Sequence, residues 1–275
     1  MKIGIVGLGF VGGAMYKSFM MKGIDVVGYD KFKDDGVKSI TELFKCDIVF
    51  LCLPTLFSEE KCEYDKSALE EVLECFEENE YDGVVVLKST VEPETTNAFS
   101  KMYKKLRISY NPEFLTARTA FKDFHNQTHV VLGKGLNSTE KDMKQLEELY
   151  KTYYPNIIVS HCTSLESESM KIMCNTYYSI KIMAFNEFYL MCKNNGSNYE
   201  TIKSLMIKNG WVNPMHTDVP GPDGLIGYGG ACFPKDTKAL NKYMERLGTP
   251  HGVLENAIKE NNNIRNKNDS TKILI

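Results

Sequence analysis

Residues 2–30 narrow the possible folds of this chain more than any other stretch. Ile3-Gly4-Ile5-Val6 is a short β-branched run that ends in glycines. Gly7-x-Gly9-x-x-Gly12 then opens a helical pattern reaching about Met20, and Ile24–Asp30 reads as a second strand closing on an acid 18 residues after Gly12. Strand, glycine turn, helix, strand and terminal acid together describe a dinucleotide-binding unit. Gly7 makes the tight turn, Gly9 lets the backbone meet a pyrophosphate, and Gly12 lets helix and strand approach closely. The helix N-terminus, with Val11 in its first turn, offers N–H groups and a dipole to the phosphates. Asp30 suits the adenine ribose hydroxyls and repels a 2′-phosphate, so the expected cofactor is NAD rather than NADP.

More apolar runs follow, at Asp47–Pro54, Gly83–Thr90, Arg107–Tyr110 and His129–Leu132. They are continuous rather than alternating, as in strands buried on both faces of a parallel sheet. The expected fold class is therefore α/β: a Rossmann-type doubly wound parallel sheet over residues 1–162, then an all-helical central domain over 163–275. Ligands of such sheets bind beyond the carboxyl ends of the strands. Pro54-Thr55, Ser89-Thr90 and Asn111-Pro112-Glu113-Phe114-Leu115 stand at those ends. Taken singly, each reads as a turn or cap residue.

From Thr163 the pattern is helical. Thr163-x-x-Glu166 is a capping box, and Asn194-Asn195-Gly196 is a C-terminal stop. The helix between them would be about 45 Å long at ~1.5 Å per residue. Its apolar residues, Met170, Ile172, Met173, Tyr177, Ile180, Met183, Ala184, Phe188 and Met191, are spread around it and call for a covering surface, which a two-fold dimer supplies. Lys171 and Asn175 are spaced i,i+4 on one face; without further context they read as a solvated polar pair.

A loop from Trp211 leads to Gly227-Tyr228-Gly229-Gly230-Ala231-Cys232-Phe233-Pro234-Lys235-Asp236-Thr237. The three glycines allow close approach of backbone to a ligand. Pro234 suits a first helical turn, which leaves Cys232 at a helix N-terminus, where a thiolate is favoured. Asp236, four residues on, returns to the same side. A thiol and a carboxylate under a glycine arch suit covalent catalysis; a buried structural cysteine before a capped helix is the plainer alternative. His216, earlier in the loop, reads as an exposed residue.

Composition excludes several classes. With 43% hydrophobic and 25% charged residues and a net charge of −3, the chain has no electrostatic signature for nucleic acid or an anionic membrane. No apolar run reaches the ~18 residues that span a bilayer, and Met1 leads directly into a strand without a charged-then-apolar leader, so a cytoplasmic location is expected. The eight cysteines form no C-x-x-C pair or metal-ligand rhythm, so no metal is expected and a reducing compartment fits.

Val219-Pro220-Gly221-Pro222-Asp223-Gly224 followed by GYGGACFPKDT resembles the active-site loop of the UDP-glucose/GDP-mannose dehydrogenase family. Pro54-Thr55, Ser89-Thr90-Val91, Asn111–Leu115 and Lys171-x-x-x-Asn175 match that family as well. The resemblance implies an NAD-dependent four-electron oxidation of a nucleotide sugar's 6-hydroxyl to the carboxylate, foremost UDP-glucose to UDP-glucuronate. GDP-mannose, a UDP-N-acetylhexosamine, or a non-catalytic truncated NAD-binding homologue are the alternative readings. It further implies that Cys232 is the nucleophile of a thiohemiacetal and thioester, that Lys171 and Asn175 stabilise the oxyanion, and that Asp236 holds water with Lys171. Glu113 and Thr90 join Asp236 in organising hydrolysis. Thr55, Thr90 and Lys235 are implied near the cofactor, and Glu113, Phe114, Leu115, Lys171, Asn175, Gly221, Asp223 and Gly229 at the sugar nucleotide. The long 163–195 helix is implied to form a homodimer core. One departure is Ala117, where many members carry a second glutamate. Members also continue into a third, nucleotide-binding domain, and Ser270–Ile275 resemble the start of its first strand.

Overall fold

A computed structural model describes residues 1–34 and 36–272. The backbone forms two compact units, one of residues 1–56 and 64–171 and the other of residues 57–63 and 172–275.

The first unit is built on a seven-stranded sheet ordered β2-β1-β3-β6-β7-β8-β9. Its strands are β1 (Lys2–Val6), β2 (Asp25–Tyr29), β3 (Ile48–Leu51), β6 (Val84–Leu87), β7 (Arg107–Tyr110), β8 (His129–Lys134) and β9 (Ile158–Thr163). The helices are α1 (Phe10–Met21), α2 (Ser67–Glu78), α3 (Thr95–Met102), α4 (Ala120–His125) and α5 (Glu140–Tyr153). Strand residues divide by parity because successive side chains point to opposite faces. Ile48, Phe50, Val84 and Val86 join one core with Met15, Phe19 and Phe124. Val49, Leu51, Val85 and Leu87 join the other with Phe76, Phe99 and Tyr110. A run such as Val84–Leu87, buried at every position, is what a sheet covered on both faces demands.

The sheet is not wholly parallel. β8 meets β7 antiparallel at Tyr110 and Gly133, and β9 runs parallel to β8. The link from β7 to β8 carries α4, which packs on α1, and the chain re-enters the sheet from the opposite end. β9 escapes an apolar-run reading because none of its residues is fully buried and Ser160, His161 and Thr163 are polar.

The second unit is mostly helical. α6 (Ser164–Asn195) begins in the first unit and ends in the second; α7 (Tyr199–Lys208), α8 (Phe233–Arg246) and α9 (Gly252–Lys272) follow. The start of α6 obeys its capping box: Thr163 N and Oγ1 both donate to Glu166, and Glu166 N donates to Thr163 Oγ1. Its end obeys the left-handed stop at Gly196, with φ +76°. At ~1.5 Å per residue its 32 residues span about 48 Å. A small hairpin, β4 (Phe57–Ser58) with β5 (Glu63–Tyr64), also belongs here in large part, since residues 57–63 cluster with α8. Lys238 of α8 lies over the Phe57 ring and pairs with Glu59, and Arg246 donates to Cys62 O. α9 continues through Lys272, so Ser270, Thr271 and Lys272 are helical rather than the opening of a strand; Ile273–Ile275 lie outside the described residues. Among the described residues, no helix is long and apolar enough to cross a membrane, and no cluster of His, Cys, Asp and Glu has the makings of a metal site.

Candidate functional site

In the first unit the glycine fingerprint forms the turn between β1 and α1. Gly7 has φ +87°, and a Cβ there would lie 2.5 Å from Cys52 O; a Cβ on Gly12 would lie 1.8 Å from Gly7 O. Both obstacles are backbone, so neither position admits a side chain. A Cβ on Gly9 would meet nothing within 4 Å, and no side chain caps α1. Open space before an uncapped helix N-terminus fits a pyrophosphate, and Val11 stands in that first turn. Asp30 is held against the turn: Oδ2 accepts from Leu8 N at 2.7 Å and Oδ1 from Phe32 N at 2.9 Å. Each carboxylate oxygen keeps a second acceptor site for a ribose hydroxyl. These residues fit a dinucleotide.

Beyond the strand ends, Thr55 and Thr90 meet, Thr55 Oγ1 donating to Thr90 O at 2.6 Å. Both are buried. Glu113 pairs with Lys171 at 3.1 Å, the two side chains being only 10% and 4% exposed. The other Glu113 oxygen, Oε2, accepts from Leu115 N at 2.7 Å, and the Lys171 ammonium stands 5.2 Å from the Phe114 ring centroid. Lys171 is therefore a buried ion-pair partner and not a solvated helix lysine. Two motifs distant in sequence, Glu113-Phe114-Leu115 and Lys171, thus form one cluster.

Beneath that cluster lies Lys88, which the sequence reading passed over. Its ammonium donates to Asn111 Oδ1 at 2.9 Å, Pro112 O at 3.1 Å and Asn111 O at 3.2 Å, using all three donors. Asn111 in turn donates to Val131 O and accepts from Tyr150 OH. Burial lowers the Lys88 pKa to about 8. The signal available in the sequence was a lysine ending an otherwise apolar strand, Val84-Val85-Val86-Leu87-Lys88.

In the second unit Cys232 is the N-cap of α8, with Pro234 in the first turn, and it is exposed. The other seven cysteines, all among the described residues, are buried or partly so. Burial pushes the Cys46 thiol up to about 11 and the Cys52 thiol to about 12, which leaves them inert. Asp236 N donates to Cys232 O at 3.0 Å. The Asp236 carboxylate, fully buried, accepts from Asn175 Nδ2 at 2.6 Å and from Lys235 Nζ at 2.6 Å. Cys232, Lys235, Asp236 and Asn175 are thus linked through α8 and α6. His216 is not simply exposed: it is half-buried at φ +65°, with ring centroids 5.1 Å from Tyr178 and 5.5 Å from Phe233.

The arch before Cys232 serves itself as much as any ligand. Gly221 N bonds Leu225 O, and Asp223 accepts from Leu225 N at 3.1 Å and from Arg265 Nη1 at 2.8 Å. A Cβ on Gly227 would lie 2.5 Å from Asn261 Oδ1, and one on Gly229 would lie 2.9 Å from the Arg265 guanidinium. Space beside these two glycines is filled by α9 side chains, and only Gly230 of the three faces open space.

Residues 31–154 match the model of the UDP-glucose/GDP-mannose dehydrogenase family NAD-binding domain, and residues 165–263 match that family's central domain. The chain belongs to the UDP-glucose/GDP-mannose dehydrogenase family. NAD is the cofactor of its first domain, and the glycine fingerprint lies just upstream of the matched residues. UDP-glucose 6-dehydrogenase YwqF of Bacillus subtilis is 30% identical over 66% of this chain and 41% of its own length. UDP-N-acetyl-D-mannosamine dehydrogenase of Methanococcus maripaludis is 27% identical over 86% of this chain and 60% of its own. The chain thus spans about half the length of the curated relatives it matches. A UDP-glucose dehydrogenase structure from Pyrobaculum islandicum superposes with a TM-score of 0.83 at 22% identity, covering 95% of this chain and 68% of that one; it supports the fold.

Proposed function

We propose that this chain oxidises the 6-hydroxyl of a nucleotide sugar to the carboxylate, UDP-glucose to UDP-glucuronate being the first choice. The observation that carries the reading is the exposed Cys232 thiol at the N-terminus of α8, with Asp236 buried one turn on and held by Asn175. NAD, when bound, takes up the hydrides that the oxidation releases. The fingerprint glycines, Val11 and Asp30 would hold it, with Thr55, Thr90 and Lys235 as further contacts.

The chain's own residues supply the rest. Loss of the hydroxyl proton to water and of a hydride from C6 first gives the aldehyde. The Cys232 thiolate, favoured by the helix N-terminus, adds to its C6 to give a thiohemiacetal. Loss of a second hydride leaves a thioester that water hydrolyses to the acid and the free thiol. Asn175 and Lys171 donate to the oxyanion, a role worth ~3–4 kcal/mol per donor. Asp236 fixes the Asn175 amide and takes part in moving the proton of the attacking water. Glu113, Phe114 and Leu115 orient the sugar, and Gly221, Asp223 and Gly229 line the nucleotide path. α6 leaves Met173, Tyr177 and Met191 exposed, and a second copy of the chain is the proposed cover, giving a homodimer.

The test offers UDP-glucose, UDP-N-acetylmannosamine and GDP-mannose with NAD and follows NADH and sugar acid together. Cys232→Ser should end acid production while NAD still binds, because an alkoxide is not readily formed at neutral pH. Unchanged acid formation by that variant would remove the thiol from the mechanism.

A further inference from the structure

Four side-chain hydrogen bonds fix the arch that runs into Cys232, and all come from helices of its own unit. Asn186 of α6 accepts from Gly227 N at 2.9 Å, and Arg265 Nη2 of α9 donates to Gly227 O at 2.7 Å. Asn261 of α9 accepts from Tyr228 N at 2.8 Å, and Arg265 Nη1 holds Asp223 at 2.8 Å. Asn186, Asn261 and Tyr228 are buried, at 1%, 5% and 3% exposure. Without those side chains the Gly227 and Tyr228 backbone groups would be buried and unpaired, a costly state.

The glycines complete the fit. An arginine tip would ordinarily swing away from a new methyl group, but here both terminal nitrogens are committed, one to a carboxylate and one to a carbonyl. Ala at position 229 would therefore displace the guanidinium and break charge-assisted bonds. Tyr228, the anchored residue, lies four positions before Cys232, and its hydroxyl reaches Thr237 Oγ1 on α8 at 3.4 Å. A shift of the arch is transmitted directly to the N-cap.

We infer that Arg265 and Asn261 are positioning residues of the active-site thiol, acting through the arch. The catalytic consequence rests on the oxidation reading above; the mechanical one does not. The full chain is compared with R265A, R265K, G229A and the G229A/R265A double variant. Hydrogen exchange of the 221–230 amides and the peptide-resolved rate of Cys232 alkylation by iodoacetamide report the arch. The kcat and KM for UDP-glucose with NAD report catalysis.

R265A removes both charge-assisted hydrogen bonds, which should speed arch exchange by at least about tenfold and lower kcat more than it raises KM. R265K should recover part of both, since lysine can hold Asp223 or the carbonyl but not the forked pair. G229A alone should resemble R265A, and in the double variant it should add less than about twofold. Arch exchange and alkylation within about twofold of wild type in R265A would overturn the inference, as would independent, multiplying effects in the double variant. Arch responses as expected, with no sugar nucleotide oxidised by any form, would uphold the clamp and refute the oxidation reading instead.

Discussion

Glu168 should make the first unit lose stability as pH rises through neutrality. It sits on α6 with no exposure, and its carboxyl accepts from Thr96 Oγ1 at 2.6 Å, Thr96 N at 2.7 Å and Glu94 N at 2.8 Å. Those bonds close the start of α3, where Glu94 takes φ +80°. Burial pushes the carboxyl up to about 7, outweighing the Thr96 and Glu94 hydrogen bonds that favour the charged form, and the Glu94 carboxylate adds to the rise. An unfolded glutamate titrates near ~4.3. The folded state thus holds the proton more tightly, so this stabilisation is complete below the unfolded pKa and is lost as pH climbs through the folded one. At about 1.4 kcal/mol per pKa unit, the full loss is on the order of 4 kcal/mol, most of it between about pH 5 and pH 8. Urea unfolding of wild type and Glu168→Gln across that range isolates the group, because every other titration is shared. The wild-type curve should fall relative to the variant by about 2–3 kcal/mol. Parallel curves, or a wild type that gains on the variant with rising pH, would refute the reasoning.

Lys171→Met should cost about 3–5 kcal/mol by leaving Glu113 buried without its partner, and adding Glu113→Leu should recover most of it; thermal melts of the two singles and the double measure this. Wild-type protein should bind NAD far more tightly than NADP, and Asp30→Ala should narrow the gap. Calorimetric titration with both cofactors checks this, and equal wild-type affinities would contradict the role given to Asp30. Sedimentation at micromolar concentration should show a dimer, and Met173→Glu with Tyr177→Glu should shift it to monomer.

The parts legible in the sequence are those set by near neighbours. The fingerprint from Gly7 to Asp30 lies within one strand–helix–strand unit, and the doubly buried strands, the Thr163 capping box and the Gly196 stop depend on residues within one strand or one turn. The antiparallel entry of β8 and the half-polar β9 were not legible, because direction and edge position leave no mark on a short run. The site divides the same way. Cys232, Pro234 and Asp236 are near in sequence, and their helix N-terminus follows from that spacing. Asp236 and Glu113 each have one distant partner, 61 and 58 residues away, and only the fold shows that Asn175 and Lys171 are those partners. Lys88 and Arg265 were missed for the same reason: each holds a loop defined elsewhere in the chain.

The hairpin at residues 57–63 carries a lesson about inheritance. It is encoded in the midst of the first unit yet lies on α8, the helix that begins at the candidate nucleophile. A single crossover near residue 163 between two relatives would give each recombinant a hairpin from one parent and an α8 from the other. Lys238 and Arg246 would then face foreign residues in place of Glu59, Phe57 and the Cys62 carbonyl. Cofactor and thiol halves are therefore not freely exchangeable modules: a working exchange takes the hairpin along with its helix, and substitutions at one are expected to be answered by substitutions at the other.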